Sequence, residues 1–305
     1  MTTGNIMRVL SASVPGRKHR MGGTPNQDAI AWVENLERQT AILCLSDGHG
    51  NVGGFRSDRG SRFAVQAALH SLEAFIAWFD PGVDPIKVQD ALLERVPREI
   101  VRRWRDAVAS DLFERPFKSE EMSRYFSSRV NASSRWEAVL NPVAAYGATL
   151  LAVFVCAAGW GCLQLGDGDI LVLTGSDQPF RPVPVDERCR GVETTSLCLP
   201  EAWRDFRAAF LPRQDTEVRL ILAATDGYAN SFKDEAAFFQ APRDWLRTIR
   251  TEGVDEVEKK MPEWLADHSA MSGDDVTLGL IVRELEDGRD IYELNEGDKY
   301  ESGGD

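Results

Sequence analysis

Apolar residues along this chain fall into two kinds of pattern, and each kind occupies its own blocks. Thr40–Ser46 is a short, nearly continuous apolar run, as expected of a strand buried on both faces. Residues 148–156, 161–165, 170–173, 218–225 and 276–282 read in the same way. The runs at 148–156, 161–165 and 170–173 follow one another closely and predict an antiparallel meander. From residue 57 the period changes: Val65, Ala68, Leu69, Leu72, Phe75, Ile76 and Phe79 recur every three or four positions. That spacing predicts a long amphipathic helix, with Ser57 or Asp58 available as its cap and Pro81-Gly82 as its stop.

Asp84-Pro85 is a cap and first-turn pair for a second helix through about residue 110, which Pro97 should break or kink. Two further helices are expected around Trp245 and Trp264. The first 31 residues are mixed, 111–141 read as helical fragments or loop, and proline-rich 175–212 reads as a loop-rich insertion over one sheet edge. Strands segregated from helices favour an α+β layered domain over an alternating parallel one.

Charge adds an exclusion and a boundary. A net charge of −13 argues against a general nucleic-acid or acidic-membrane surface. Nine acidic and two basic residues crowd into 284–305, where apolar residues are few, so a domain over 1–283 followed by a disordered acidic tail is expected. No run of about 20 apolar residues and no signal peptide is visible, and the five cysteines include no CxxC pair, which together predict a cytoplasmic, membrane-free protein with reduced thiols.

The candidate chemistry lies where apolar runs meet acidic residues. One run leads into Asp47-Gly48-His49-Gly50, another into Asp226-Gly227, Asp167-Gly168-Asp169 joins two more, and Asp274-Asp275 opens the last. Each Asp-Gly alone is an ordinary turn. Carboxylates at the mouths of buried strands can nevertheless converge in space, and such hard oxygen ligands suit Mg²⁺ or Mn²⁺. Two such ions close together are a common device for hydrolysing phosphate esters.

In order along the chain stand Asn26-Gln27-Asp28-Ala29, Asp47-Gly48-His49-Gly50, Gly147-Ala148-Thr149, Gly166-Asp167-Gly168-Asp169, Thr225-Asp226-Gly227 and Asp274-Asp275-Val276-Thr277. This ordered set resembles the motifs of the type-2C metal-dependent serine/threonine protein phosphatases over about residues 15–283. The run from Gly16 to His19, followed by Gly23 to Ala29, is similar to the bacterial branch of that family.

The resemblance implies a four-layer α-β-β-α sandwich: two central antiparallel sheets flanked by helices, with two Mn²⁺ or Mg²⁺ ions at one end. Asp47 would bridge both ions, Gly48 would offer its carbonyl to one, and Asp226 and Asp274 would complete the shell of the other. Asp28 would act through metal-bound water, Asp167 would hold a weaker third ion, and Asp275, where the family usually has Asn, would stand behind the ligands. The family often has Glu at Gln27 and a phosphate-gripping Arg at Gly23; the cationic candidates for the phosphate here are Arg17, His19 and Arg20, in the order of preference His19 and then Arg20.

His49, directly after the metal turn, is the candidate acid for the departing alkoxide. A bimetal-bound hydroxide would attack phosphorus directly, with no cysteine or serine nucleophile. The expected substrate is a phosphoserine or phosphothreonine protein, opposed by a serine/threonine kinase. The alternatives are a phosphatase of a small phosphorylated metabolite and a non-catalytic, metal-stabilised signalling module.

Overall fold

The computed structural model describes residues 5–49, 54–79, 82–127, 141–189, 194–212 and 218–285. Within them, strands β1 (Asn5–Val14), β6 (Asp169–Thr174), β8 (Val218–Ala224) and β9 (Val276–Leu285) form one sheet in the order β1-β9-β8-β6. Strands β2 (Ala29–Asn35), β3 (Thr40–Ser46), β4 (Leu150–Cys156), β5 (Gly159–Leu165) and β7 (Arg207–Pro212) form a second in the order β2-β3-β4-β5-β7. Every pairing is antiparallel.

Side-chain alternation turns these sheets into layers. Along β4, Leu150, Ala152 and Phe154 face a helical layer, whereas Leu151, Val153 and Val155 face the other sheet. The outward face of the five-stranded sheet packs on α2 (Ser57–Ile76), α3 (Pro85–Leu93) and α4 (Arg95–Glu114) through residues such as Leu72, Leu92 and Trp104. The four-stranded sheet packs on α8 (Ala241–Glu252) and α9 (Val254–Ser272) through Trp245, Ile249, Val257 and Leu265. The short helices α1 (Arg17–Gly22), α5 (Ser119–Ser127), α6 (Asp226–Ala229) and α7 (Glu235–Phe238) lie outside these two layers or at their ends. The result is the expected α-β-β-α sandwich.

Several local expectations are corrected. The three-strand meander does not form: β4 and β5 make a hairpin, but the Gly-Asp-Gly-Asp link carries the chain across to the other sheet, where β6 pairs with β8. The supposed insertion at 175–212 ends in β7, an edge strand paired with β5. The mixed N-terminal stretch contains β1, in which Val9, Leu10, Ala12 and Val14 are buried; interleaved Arg8, Ser11 and Ser13 mask its apolar pattern.

The second predicted helix breaks at Glu94, three residues ahead of Pro97, which then occupies the first turn of α4, where its missing N–H costs nothing. Helix α2 has no side-chain cap and ends at Ile76, before Pro81, which lies outside the described residues. Strand β9 pairs as far as Leu285, opposite Asn5, and 286–305 lie outside the described residues. The five cysteines are free thiols, and no helix among the described residues is long and apolar enough to cross a membrane.

Candidate metal centre

The strand ends decide where the acidic residues fall. Asp28 immediately precedes β2 and Asp47 immediately follows β3; since Ala29 pairs with Ser46, the two carboxylates flank one end of that pair. In the other sheet Ala224 pairs with both Asp169 and Leu278. Asp226 after β8, Asp274 before β9 and Asp167 before β6 are thereby drawn to one end of that sheet. Five segments thus deliver carboxylates to one end of the sandwich, and their mutual influence is direct: Asp28, Asp226, Asp167 and Asp274 all act on the charge of Asp47.

Hydrogen bonds hold the framework. Asp47 N–H donates to Thr149 Oγ1 at 3.0 Å, Thr149 N–H donates to the Asp47 carbonyl at 2.8 Å, and Ser46 Oγ donates to the Thr149 carbonyl at 2.6 Å. Gly48 bridges to Ala148, and a Cβ on Gly48 would stand 2.7 Å from the Ser57 carbonyl oxygen and 2.8 Å from that of Gln27, so the turn admits only glycine. Thr225 Oγ1 donates to Asp28 Oδ2 at 2.8 Å and accepts from Thr277 N–H at 3.0 Å, tying the β8 and β9 ends to the start of β2.

The electrostatics are those of an anionic cluster short of counter-charge. Burial, followed by repulsion from Asp275 and Asp226, pushes Asp28 up to about 7, against the pull of the Thr277 and Thr225 hydroxyls. Burial and then Asp167 and Asp274 push Asp226 up to about 6. Asp47 is raised well above the ordinary carboxylate range, chiefly by burial and then by its four acidic neighbours.

Asp28 Oδ1 and Gln27 Oε1 are buried without a hydrogen-bond partner. Buried oxygens of this kind are costly unless a cation or a proton meets them. No three His, Cys, Asp or Glu side chains among the described residues enclose an ion by themselves. Water and a carbonyl such as that of Gly48 would have to fill the shell, which is how Mg²⁺ usually binds, through one or two carboxylates with its waters kept. The donor set therefore fits hard divalent ions.

The remaining candidates separate clearly. Asp275, only 3% exposed, accepts from Gly16 N–H at 2.5 Å, from Gln27 N–H at 2.7 Å and meets His19 Nδ1 at 2.8 Å, so it clamps α1 and the β2 approach beside Asp274. His19 thus has one ring nitrogen committed, and Arg20 is exposed on the same helix. Within Gly-Asp-Gly-Asp the two carboxylates diverge: Asp167 acts on Asp47, Asp226 and His49, whereas Asp169 accepts from Arg181 Nε at 2.7 Å. His49 is half-buried, its N–H donates to the Gly147 carbonyl at 3.0 Å, and burial lowers its pKa against the pull of Asp167.

Residues 15–266 match the family model for protein phosphatase 2C. The chain belongs to that family. Protein phosphatase 2C members are metal-dependent phosphatases, which accords with the carboxylate cluster. Solved structures with the protein phosphatase 2C fold align over nearly the whole chain. A bacterial serine phosphatase shares 16% identity at a TM-score of 0.56, covering 92% of this chain and 99% of its own. The serine/threonine phosphatase Stp1 from Staphylococcus aureus shares 16% at 0.52, covering 92% and 97%, and the S. agalactiae serine/threonine phosphatase shares 14% at 0.53, covering 90% and 99%. No curated protein matches the chain in sequence.

Sequence reasoning overlooked one group beside this centre. Arg56, 3% exposed, is surrounded by Tyr146, Asp111, Glu121 and the carbonyls of Arg115 and Pro116. Its partners lie up to 90 positions away along the chain and carry no motif. The only signal available was an arginine at the start of a helix whose apolar face needed burial.

Proposed function

We propose that this chain is a protein serine/threonine phosphatase that hydrolyses phosphoserine and phosphothreonine esters in protein substrates within the cytoplasm. The observation that carries the reading is the convergence of Asp28, Asp47, Asp167, Asp226 and Asp274 at one end of the sandwich, with a buried Asp28 oxygen left without a partner. Asp47 would hold both of two Mn²⁺ or Mg²⁺ ions, the Gly48 carbonyl would serve one, and Asp226 and Asp274 would serve the other. Asp28 would act on the water around them, and Asp167 would hold a third, weaker ion. Such ions supply Lewis acidity, lowering the pKa of water and neutralising phosphate charge.

The chain's own groups then have distinct tasks. His19, oriented through Nδ1 by Asp275, and exposed Arg20 would bind the phosphate oxygens from α1. His49, held against Gly147, would donate its proton to the departing serine or threonine oxygen, a leaving group that needs one. Asp275 keeps α1 seated and so sets the distance between the phosphate grip and the carboxylates. A serine/threonine kinase is the opposing activity this reading calls for.

The test is release of phosphate from a phosphoserine peptide with and without Mn²⁺, alongside a panel of small phosphorylated metabolites. Metal-dependent turnover with kcat/KM favouring the peptide is expected. Metal-independent turnover, or preference for a small metabolite, would overturn the reading.

A further inference from the structure

We infer that Arg56 and Tyr146 are positioning residues for the His49 side chain, acting through a buried ionic network; the inference rests on His49 being the proton donor to the leaving group. All five N–H groups of the Arg56 guanidinium have acceptors. Nε and Nη2 form a two-pronged pair with the Glu121 carboxylate, both at 2.9 Å. Nη2 also donates to the Pro116 carbonyl at 3.1 Å, and Nη1 donates to the Arg115 carbonyl at 2.6 Å and to Tyr146 Oη at 2.7 Å. Tyr146, fully buried, donates its own O–H to Asp111 Oδ2 at 2.7 Å, and Asp111 is further held by Arg59 at 2.9 Å and Arg115 at 2.6 Å. Phe117 lies beneath the guanidinium, 4.7 Å from ring centroid to Cζ.

Such a network is an expensive way to gain stability. Desolvating buried ion pairs cancels much of their attraction, and apolar packing often does as well. What a fully satisfied network does supply is a single geometry. Its two central members lie beside the two segments that enclose the catalytic turn.

Tyr146 precedes Gly147, whose carbonyl accepts from His49 N–H at 3.0 Å and whose α-carbon lies so close to the imidazole that any Cβ there would clash with the His49 ring. Arg56 lies two residues after Gly54, where a Cβ would clash with the His49 carbonyl, and directly precedes Ser57, whose carbonyl presses on Gly48. Arg56 N–H also donates to the Ala145 carbonyl at 2.9 Å, so the two enclosing segments are joined by backbone and side chain alike. Loss of the Tyr146 hydroxyl would loosen the vice around His49 while leaving the carboxylates of β2, β8 and β9 in place.

The experiment uses the full chain with saturating Mn²⁺ and compares Tyr146→Phe, His49→Gln and the double variant on a phosphoserine peptide and on 4-nitrophenyl phosphate, whose phenolate needs little protonation. Small displacements of a catalytic group cost on the order of 10-fold or more. Tyr146→Phe is therefore expected to lower kcat on the peptide about 10-fold, with aryl phosphate turnover within about 2-fold of wild type. In the His49→Gln background it should add nothing.

Equal losses on both substrates, or a full additional loss in the His49→Gln background, would overturn the positioning role. If His49→Gln itself slows both substrates equally, the proton-donor reading fails and takes this inference with it. Glu121→Gln, at the outer end of the network, provides a second variant should Tyr146→Phe fold poorly. It should show the same selective loss on the peptide, and an unselective loss would again refute the role.

Discussion

Asp28→Asn should stabilise the metal-free protein near pH 8 and destabilise the metal-loaded one relative to wild type. In the metal-free fold Asp28 is 7% exposed, has one oxygen bonded to Thr225 and one without a partner, and titrates at about 7 rather than near 3.8. The native carboxyl therefore holds its proton more tightly than the unfolded chain does. Its contribution to stability is fully present below about pH 4 and is lost as pH rises through about 7.

With its carboxyl held at about 7 in the fold against about 3.8 in the unfolded chain, the ionised form costs about 4 kcal/mol above that range. Asparagine carries no charge and can still accept from Thr225, but its amide group takes the place of the unpartnered oxygen at a cost of about 1–3 kcal/mol. The net expectation at pH 8 in chelator is a gain of about 1–3 kcal/mol, or several degrees in Tm at about 2–4 °C per kcal/mol.

The assay is urea and thermal unfolding of both proteins in chelator from pH 4.5 to 8.5, repeated with Mn²⁺. The difference between variant and wild type reports Asp28 together with its effect on the neighbouring Asp47, while groups outside the cluster cancel. It should grow in the variant's favour as pH rises and reverse when Mn²⁺ is present. A difference independent of pH, or a variant less stable than wild type at pH 8 in chelator, would refute the reasoning.

Other expectations follow from the same cluster and from the strand ends. Asp47→Asn and Asp226→Asn should each lose turnover by more than the roughly 10- to 100-fold that disturbing a mere partner of a metal ligand costs, measured on a phosphopeptide at fixed Mn²⁺. Wild-type Tm should rise with Mn²⁺ concentration, by the equivalent of about 2.7 kcal/mol at 100 times Kd, and a melting curve indifferent to Mn²⁺ would speak against a converged cluster. Truncation after Leu285, where pairing with β1 ends, should leave both Tm and aryl phosphate turnover unchanged, as calorimetry and a colorimetric assay would show.

Much of this protein was legible from local pattern. Thr40–Ser46 reads as a doubly buried strand and is one, because continuous apolar character is what a central strand needs on both faces. The long helix at Ser57–Ile76 follows from three- and four-residue spacing, and the helices expected around Trp245 and Trp264 are present. The acidic residues at strand ends were likewise visible, since a carboxylate beside an apolar run stands out in one dimension.

Partnership was not legible. Nothing local says that β6 leaves its neighbour β5 to pair with β8, because a Gly-Asp-Gly-Asp link serves a hairpin and a crossover equally well. Strand β1 was hidden because its interleaved polar residues blur the pattern, and it is specified by ten pairings with β9, more than 260 positions away. The same distance explains the site. The sequence alone determined which carboxylates were available and placed them at the ends of strands. Only the stacking of two sheets decided that five of them share one mouth, that Asp169 turns away to Arg181 while Asp167 does not, and that Arg56 is sealed against Tyr146. Pairing and burial are sums over contacts between distant segments, and such sums exist only once the chain has folded.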